Sequence, residues 1–223
     1  LGGGLVPIGV CISSPRVWND DFGMLHSSTF DNNNLTCAVG QAVLERLLEN
    51  EQALIKDVKR KGDYMLEQLK LMAARYPGVI KEARGQGLMI GLEFNELEDC
   101  GSFDMAYLVD QGGFTALLTG FLLNCYHIRL APYLNNSMTL RLEPPLTVED
   151  EAIDYVLGAV EDICRIMENK HYGRLYRYLI GDTSVPGQIL DYRHRHRKTR
   201  YSRLNRGEVP SRKFAFIIHY PGP

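Results

Sequence analysis

Leu1–Cys37 reads LGGGLVPIGVCISSPRVWNDDFGMLHSSTFDNNNLTC, and the meaning of the chain turns on this stretch. Gly2, Gly3 and Gly4 let the backbone pass close to a ligand, because no side chain intervenes. The apolar run Leu5 to Ile12, with Pro7 near its start, reads as a buried strand. Ser14-Pro15-Arg16-Val17-Trp18 reads as a short helix, with Ser14 as its cap and Pro15 at its first position. His26-Ser27-Ser28-Thr29-Phe30 is a hydroxyl cluster in a polar loop. Hydroxyls and free backbone N–H groups just before a helix make a phosphate site. Taken alone, the same residues read equally well as a Gly-rich turn followed by a helix cap.

Working outward, Leu35, Ala38, Val39, Ala42, Val43 and Leu47 recur at helical spacing and predict an amphipathic helix to about Asn50. A second helix runs from about Glu51 to Arg75, and Tyr76-Pro77-Gly78 ends it. Val79 to Phe94, VIKEARGQGLMIGLEF, reads as two short strands joined across Gly85 and Gly87. Phe103 to Val109 and Phe114 to Leu123 read as helical, interrupted at Gly112-Gly113. His127 to Pro132 and Met138 to Leu142 alternate like strands, with Asn135-Asn136 between them as a loose hairpin signal. Thr147-Val148-Glu149-Asp150 is a capping-box-like start. Ile153, Val156, Leu157, Val160, Ile163, Cys164 and Met167 then mark the apolar face of a helix ending near Lys170. His171 to Ile180 is an aromatic-rich helical candidate, and Gly181 to Gly187 reads as a linker.

A chain of 223 residues can bury a core as one large or two small domains. Its net charge of −2 hides an asymmetry: Asp191 to Lys213 holds nine Arg/Lys against two Asp/Glu, so the remainder is acidic. Arginines interleaved with Tyr192, Tyr201, His194 and His196 suit phosphate backbones and bases. The favoured reading of this tail is instead a solvated linker leading into Phe214-Ala-Phe-Ile-Ile-His-Tyr220. The His-Arg-His run has too few ligands of defined spacing around it for a metal site, so none is assigned. The five cysteines are odd in number, scattered and free of CxxC pairs. That usage argues against a disulfide framework or zinc and suits a reducing cytoplasm. No apolar stretch approaches the roughly 20 residues of a membrane span, and no leader peptide is visible ahead of the first apolar run.

In order, LGGG, VPIG, SPRVW, HSSTF and an N-x-L-x-C helix start resemble the class III aminotransferases, enzymes of pyridoxal phosphate (PLP). Arg84-Gly85-Gln86-Gly87-Leu88-Met89-Ile90-Gly91-Leu92-Glu93 matches that family's R-G-x-G-L-M-x-G-x-E signature, and Arg141-Leu142-Glu143-Pro144-Pro145-Leu146 matches its R-x-x-P-P-L element. The run Lys61-Gly62-Asp63 ahead of the strands is especially similar to the putrescine branch. The resemblance covers about Leu1 to Lys170. It implies an α/β fold, the PLP-dependent fold type I. The end of the large domain would be residues 1–34, and an α+β small C-terminal domain residues 35–170. A basic linker (171–213) and the start of a following domain (214–223) would come after.

The implied function is transfer of an amino group from an amine or amino acid donor to a 2-oxo acid. Thr29, with Ser28, is expected to bind the PLP phosphate, in this family that of the partner subunit, so a homodimer is expected. Arg141 is expected to hold the substrate carboxylate through two parallel hydrogen bonds. In the family the Schiff-base lysine lies two residues before L-G-G-G, upstream of Leu1. No catalytic residue is therefore assigned here, and the 223-residue polypeptide alone is expected to be catalytically silent. One departure stands at the phosphate loop. Phe30-Asp31-Asn32-Asn33-Asn34-Leu35-Thr36-Cys37 replaces the usual F-G-G-N-P-L-A-C, and Asp31 puts a carboxylate beside the expected phosphate. Two rival readings remain: an aminomutase or epimerase on the same scaffold, and a non-catalytic module whose basic tail binds nucleic acid.

Overall fold

The longest element is helix α2 (Asn34–Arg75), and its backbone leaves helical geometry between Glu49 and Gln52. The sequence ended one helix near Asn50 and began the next near Glu51, so the interruption falls where it was expected. The computed structural model describes residues 1–25, 28–31, 33–97, 100–131 and 138–184. Leu1–Lys56 forms one compact unit, and a second begins at Asp57. The basic stretch 191–213, the apolar end 214–223 and the Asn135-Asn136 hairpin signal lie outside the described residues.

The first unit opens on a glycine turn. Leu5 and Val6 both donate their N–H to the Gly2 carbonyl, at 2.9 and 3.2 Å. Gly3 and Gly4 hold left-handed φ of 58° and 76°, and a Cβ on Gly2 would stand 1.8 Å from the Val6 carbonyl oxygen. Glycine is therefore required there by sterics. The run Leu5 to Ile12 is not a buried strand: Leu5, Val10 and Ile12 are exposed, and no strand pairs with it among the described residues. An apolar run becomes a strand only where a neighbouring chain takes up its backbone hydrogen bonds. Ile8 instead lies over Gly40 of α2, where a Cβ would meet its Cδ1 at 3.0 Å. Ser14 to Trp18 makes a turn rather than a helix. The short helix is α1 (Asp20–Leu25), entered through Asn19, whose Oδ1 accepts from the Asp21 N–H at 2.8 Å.

The second unit carries the core. Strands β1 (Ile80–Gln86), β2 (Met89–Phe94) and β3 (Thr139–Leu142) form one antiparallel sheet in the order β1-β2-β3. The β1–β2 turn packs against α2, since a Cβ on Gly62 would lie 2.2 Å from the Gly87 carbonyl oxygen. This gives the Lys61-Gly62-Asp63 run a structural reason: only glycine lets the helix backbone approach the turn. Ala83, Ile90, Leu92, Phe94, Leu140 and Leu142 fill one face of the sheet and pack into the core. Helices α3 (Phe103–Asp110), α4 (Phe114–Tyr126) and α5 (Asp150–Glu168) join that core, α4 through a face from Phe114 to Tyr126 that includes Leu118, Phe121 and Leu122.

Two further expectations change. Residues 127–131 are not a strand, although Ile128 and Leu130 are buried and alternate with exposed neighbours. His127 takes a left-handed φ of 57° as the C-cap of α4, so the chain turns there and its alternation reports burial without pairing. The cap of α5 is Glu149 rather than Thr147. After α5, His171 to Ile180 folds as two 3-10 turns, Tyr172–Leu175 and Arg177–Ile180. Tyr172 and Leu175 are buried, and Tyr178 lies where a Cβ on Gly120 would come within 2.2 Å of its hydroxyl.

Candidate functional site

In the first unit, the hydroxyl loop precedes the N-terminus of α2. His26, Ser27 and Asn32 lie outside the described residues. Ser28 and Thr29 are exposed. The Ser28 Oγ accepts from the Phe30 N–H at 3.1 Å, and the Ser28 carbonyl accepts from the Asp31 N–H at 3.1 Å. The Ser28 N–H itself donates to the Asp31 Oδ2 at 3.0 Å. This loop therefore already holds an anionic oxygen on a backbone amide. Two exposed hydroxyls and one amide that binds an anionic oxygen are donors of the kind a phosphate monoester takes. The first amides of α2 contribute less, because the Asn33 Oδ1 accepts from the Leu35 and Thr36 N–H groups at 3.1 and 3.2 Å.

In the second unit, Arg141 sits on β3 with its side chain on the face away from the core, between buried Leu140 and Leu142. It pairs in register with Gly91 of β2. A residue directly opposite on a neighbouring strand shares the same face, and over Gly91 lies the Thr139 methyl, 3.2 Å from where a Cβ would stand. Arg141 donates through Nε to the Glu143 Oε1 at 3.0 Å, and its Nη2 donates to the same oxygen. Glu143 thus turns to the arginine rather than to solvent. The guanidinium holds a carboxylate, the interaction expected of it toward a substrate, but here from its own chain.

The same sheet face carries a charged cluster. Glu93 accepts from Lys81 at 2.7 Å and from Arg84. Those hydrogen bonds, the one from Lys81 foremost, hold the Glu93 carboxyl below its ordinary range, and the bond to Glu93 raises Lys81. Reading Val79 to Phe94 as two short strands joined across Gly85 and Gly87 did not bring out this cluster. The period-2 alternation of β2 was the available signal, because it sets Gly91 and Glu93 opposite the buried Ile90 and Leu92.

Deeper in the unit, the Tyr126 hydroxyl donates to the buried Asp162 Oδ2 at 3.0 Å, and Arg165 reaches the Asp162 Oδ1 at 3.2 Å. Burial pushes the Asp162 carboxyl and the Tyr126 phenol up. The pair ties α4 to α5 beneath the surface. Among the described residues, no three His, Cys, Asp or Glu gather as a metal site. No helix among them is long and apolar enough to cross a membrane.

Solved structures similar to this chain include the ornithine delta-aminotransferase of Plasmodium falciparum, at 23% identity over 65% of this chain and 32% of that one, with a TM-score of 0.45. The lysine aminotransferase of Mycobacterium tuberculosis is 24% identical over 60% of this chain and 26% of that one, with a TM-score of 0.46. The ornithine aminotransferase of Toxoplasma gondii is 23% identical over 65% of this chain and 30% of that one, with a TM-score of 0.48. The chain thus spans between about a quarter and a third of the length of these structures. The sequence model of the family described as aminotransferase class-III matches residues 1–164. The chain therefore belongs to the class III aminotransferases, a family of the PLP-dependent fold type I.

Proposed function

We propose that this chain is the C-terminal part of an aminotransferase that moves an amino group from a diamine-type donor to a 2-oxo acid. The observation that carries the reading is the Arg141–Glu143 pair on the open face of the sheet. In the reaction, PLP supplies the electron sink that carries the amino group between the two substrates. The residues of this chain do the holding. Ser28 and Thr29 bind its phosphate through hydroxyl and amide donors, and by the family pattern they do so for the partner subunit of a homodimer. Arg141 grips the carboxylate of the 2-oxo acid through two parallel hydrogen bonds. When the donor is an amine without a carboxylate, Glu143 supplies the carboxylate that balances the charge of Arg141. That supports the putrescine-like branch, as does the Lys61-Gly62-Asp63 run. The Schiff-base lysine comes from outside these 223 residues, so the polypeptide by itself performs no turnover.

Arg141→Ala in the full-length parent tests the assignment. The KM for the 2-oxo acid should rise between about tenfold and a few hundredfold, as loss of a charge-assisted pair predicts. The KM for the diamine should stay within about twofold. A variant that affects both substrates alike would sink the assignment. For the 223-residue chain mixed with PLP, a strong absorbance band that borohydride removes would refute the proposal of silence.

A further inference from the structure

The interruption in α2 is left-handed. Asn50, Glu51 and Gln52 hold φ of 48°, 56° and 64° with ψ of 49°, 37° and 35°, following an extended Glu49 at ψ 151°. None of the three is glycine, and only Asn has a mild tolerance for this region. Single non-glycine residues adopt it at turns, whereas a run of three is rare and disfavoured at every step. The local sequence pulls the other way. Leu47-Leu48-Glu49-Asn50-Glu51-Gln52-Ala53-Leu54 is built, Asn50 apart, from residues that favour right-handed helix. All three left-handed residues are exposed, so no core packing locks them. One contact fits the broken form specifically. Lys56 lies 3.7 Å from Glu51, five positions away, whereas a continuous helix makes neighbours of positions three and four apart.

We infer that Glu49–Gln52 is a two-state switch, broken in one state and continuous α-helix from Asn34 to Arg75 in the other. Local helix preference and the left-handed turn compete there without a buried anchor to decide between them. The switch falls close to the end of the first compact unit at Lys56. On the function proposed above, Thr29 precedes the break and Arg141 follows it. The break would then lie on the stretch of chain joining the phosphate and carboxylate residues, and only this consequence rests on that reading.

Spin labels on Cys37 and on Lys70→Cys, in a Cys11→Ser background, measure the two states by pulsed dipolar distance. Cys37 and Lys70 are exposed. The remaining cysteines are buried, and burial raises the thiols of Cys125 and Cys164 and keeps them from the label. A continuous helix places the two sites about 50 Å apart at 1.5 Å per residue, and any break shortens this. Weight should move toward about 50 Å in an Asn50→Ala, Glu51→Ala, Gln52→Ala variant. It should leave that distance when the same positions carry Gly, with the population ratio changing about fivefold per Ala-to-Gly exchange. Movement of weight by either variant supports the switch. A single distribution, short or long, that neither variant moves overturns it. The measurement involves no turnover, so failure of the proposed function leaves it unaffected.

Discussion

Asp31 is the residue at which this chain departs most consequentially from its family. Its carboxylate accepts from the Ser28 amide at 3.0 Å, inside the loop proposed above to hold the phosphate. One negative charge facing another at about 4 Å costs on the order of 1 kcal/mol in water. Asp31→Asn keeps an oxygen for the Ser28 N–H and removes the charge. It should tighten binding of PLP or inorganic phosphate about fivefold, read by calorimetric titration at low salt, with the gain shrinking as salt screens the repulsion. Unchanged or weaker binding would show that Asp31 turns away from the ligand. At this scale the sequence was informative for residues set in motifs. Arg141 was singled out through R-L-E-P-P-L, a motif that also contains Glu143. What it withheld was direction: whether Glu143 faced Arg141 depended on the backbone just past the end of β3, which composition does not encode.

Helices α2, α4 and α5 were legible because each is long enough for its apolar face to repeat, whereas the six-residue α1 was expected too early, at Ser14 to Trp18. The segments at 5–12 and 127–131 failed for a common reason. The alternation at 127–131 records which side is buried and the run at 5–12 only that it is apolar, whereas a strand needs a neighbour that no local pattern reveals. Between elements, the buried Tyr126–Asp162 pair joins α4 to α5 and makes their packing sensitive to pH. Desolvation raises the Asp162 carboxyl above its ordinary 3.8, against the lowering by Tyr126 and Arg165. The folded state then binds this proton more tightly than the unfolded one. The corresponding stability is fully present below the ordinary value and is lost as pH climbs through the raised one. Asp162→Asn stays neutral throughout and keeps an oxygen for the Tyr126 hydroxyl. Relative to the parent chain, the variant should gain stability as pH rises from about 4 and level off above the raised pKa, measured by urea unfolding across that range. A parent chain that gains on the variant over the same window would contradict the sign.

Across the whole molecule, burial is divided unequally. Among the described residues every buried hydrophobic side chain lies between Met65 and Leu175, whereas Leu5, Ile12, Trp18, Phe30 and Leu35 stand exposed in the first unit. Sequence could not foresee this, since an apolar run looks the same whether its own chain or another covers it. So much open apolar surface calls for a cover, and a second copy, as in the homodimer proposed above, is one cover that can be tested. Hydrogen–deuterium exchange on the 223-residue chain separates the two units by this logic. Amides in helices and strands between Asp57 and Leu175 should exchange slowly at every concentration, because the core beneath them opens only with the unit. Amides in residues 1–25 should exchange fast in dilute solution and slow by about tenfold or more as the concentration is raised, since association stabilises by mass action. If the first unit is equally protected at all concentrations, its apolar face is closed within one chain. If it stays unprotected at the highest concentration, a second copy of this polypeptide does not provide the cover, and the homodimer must be built on other residues of the parent.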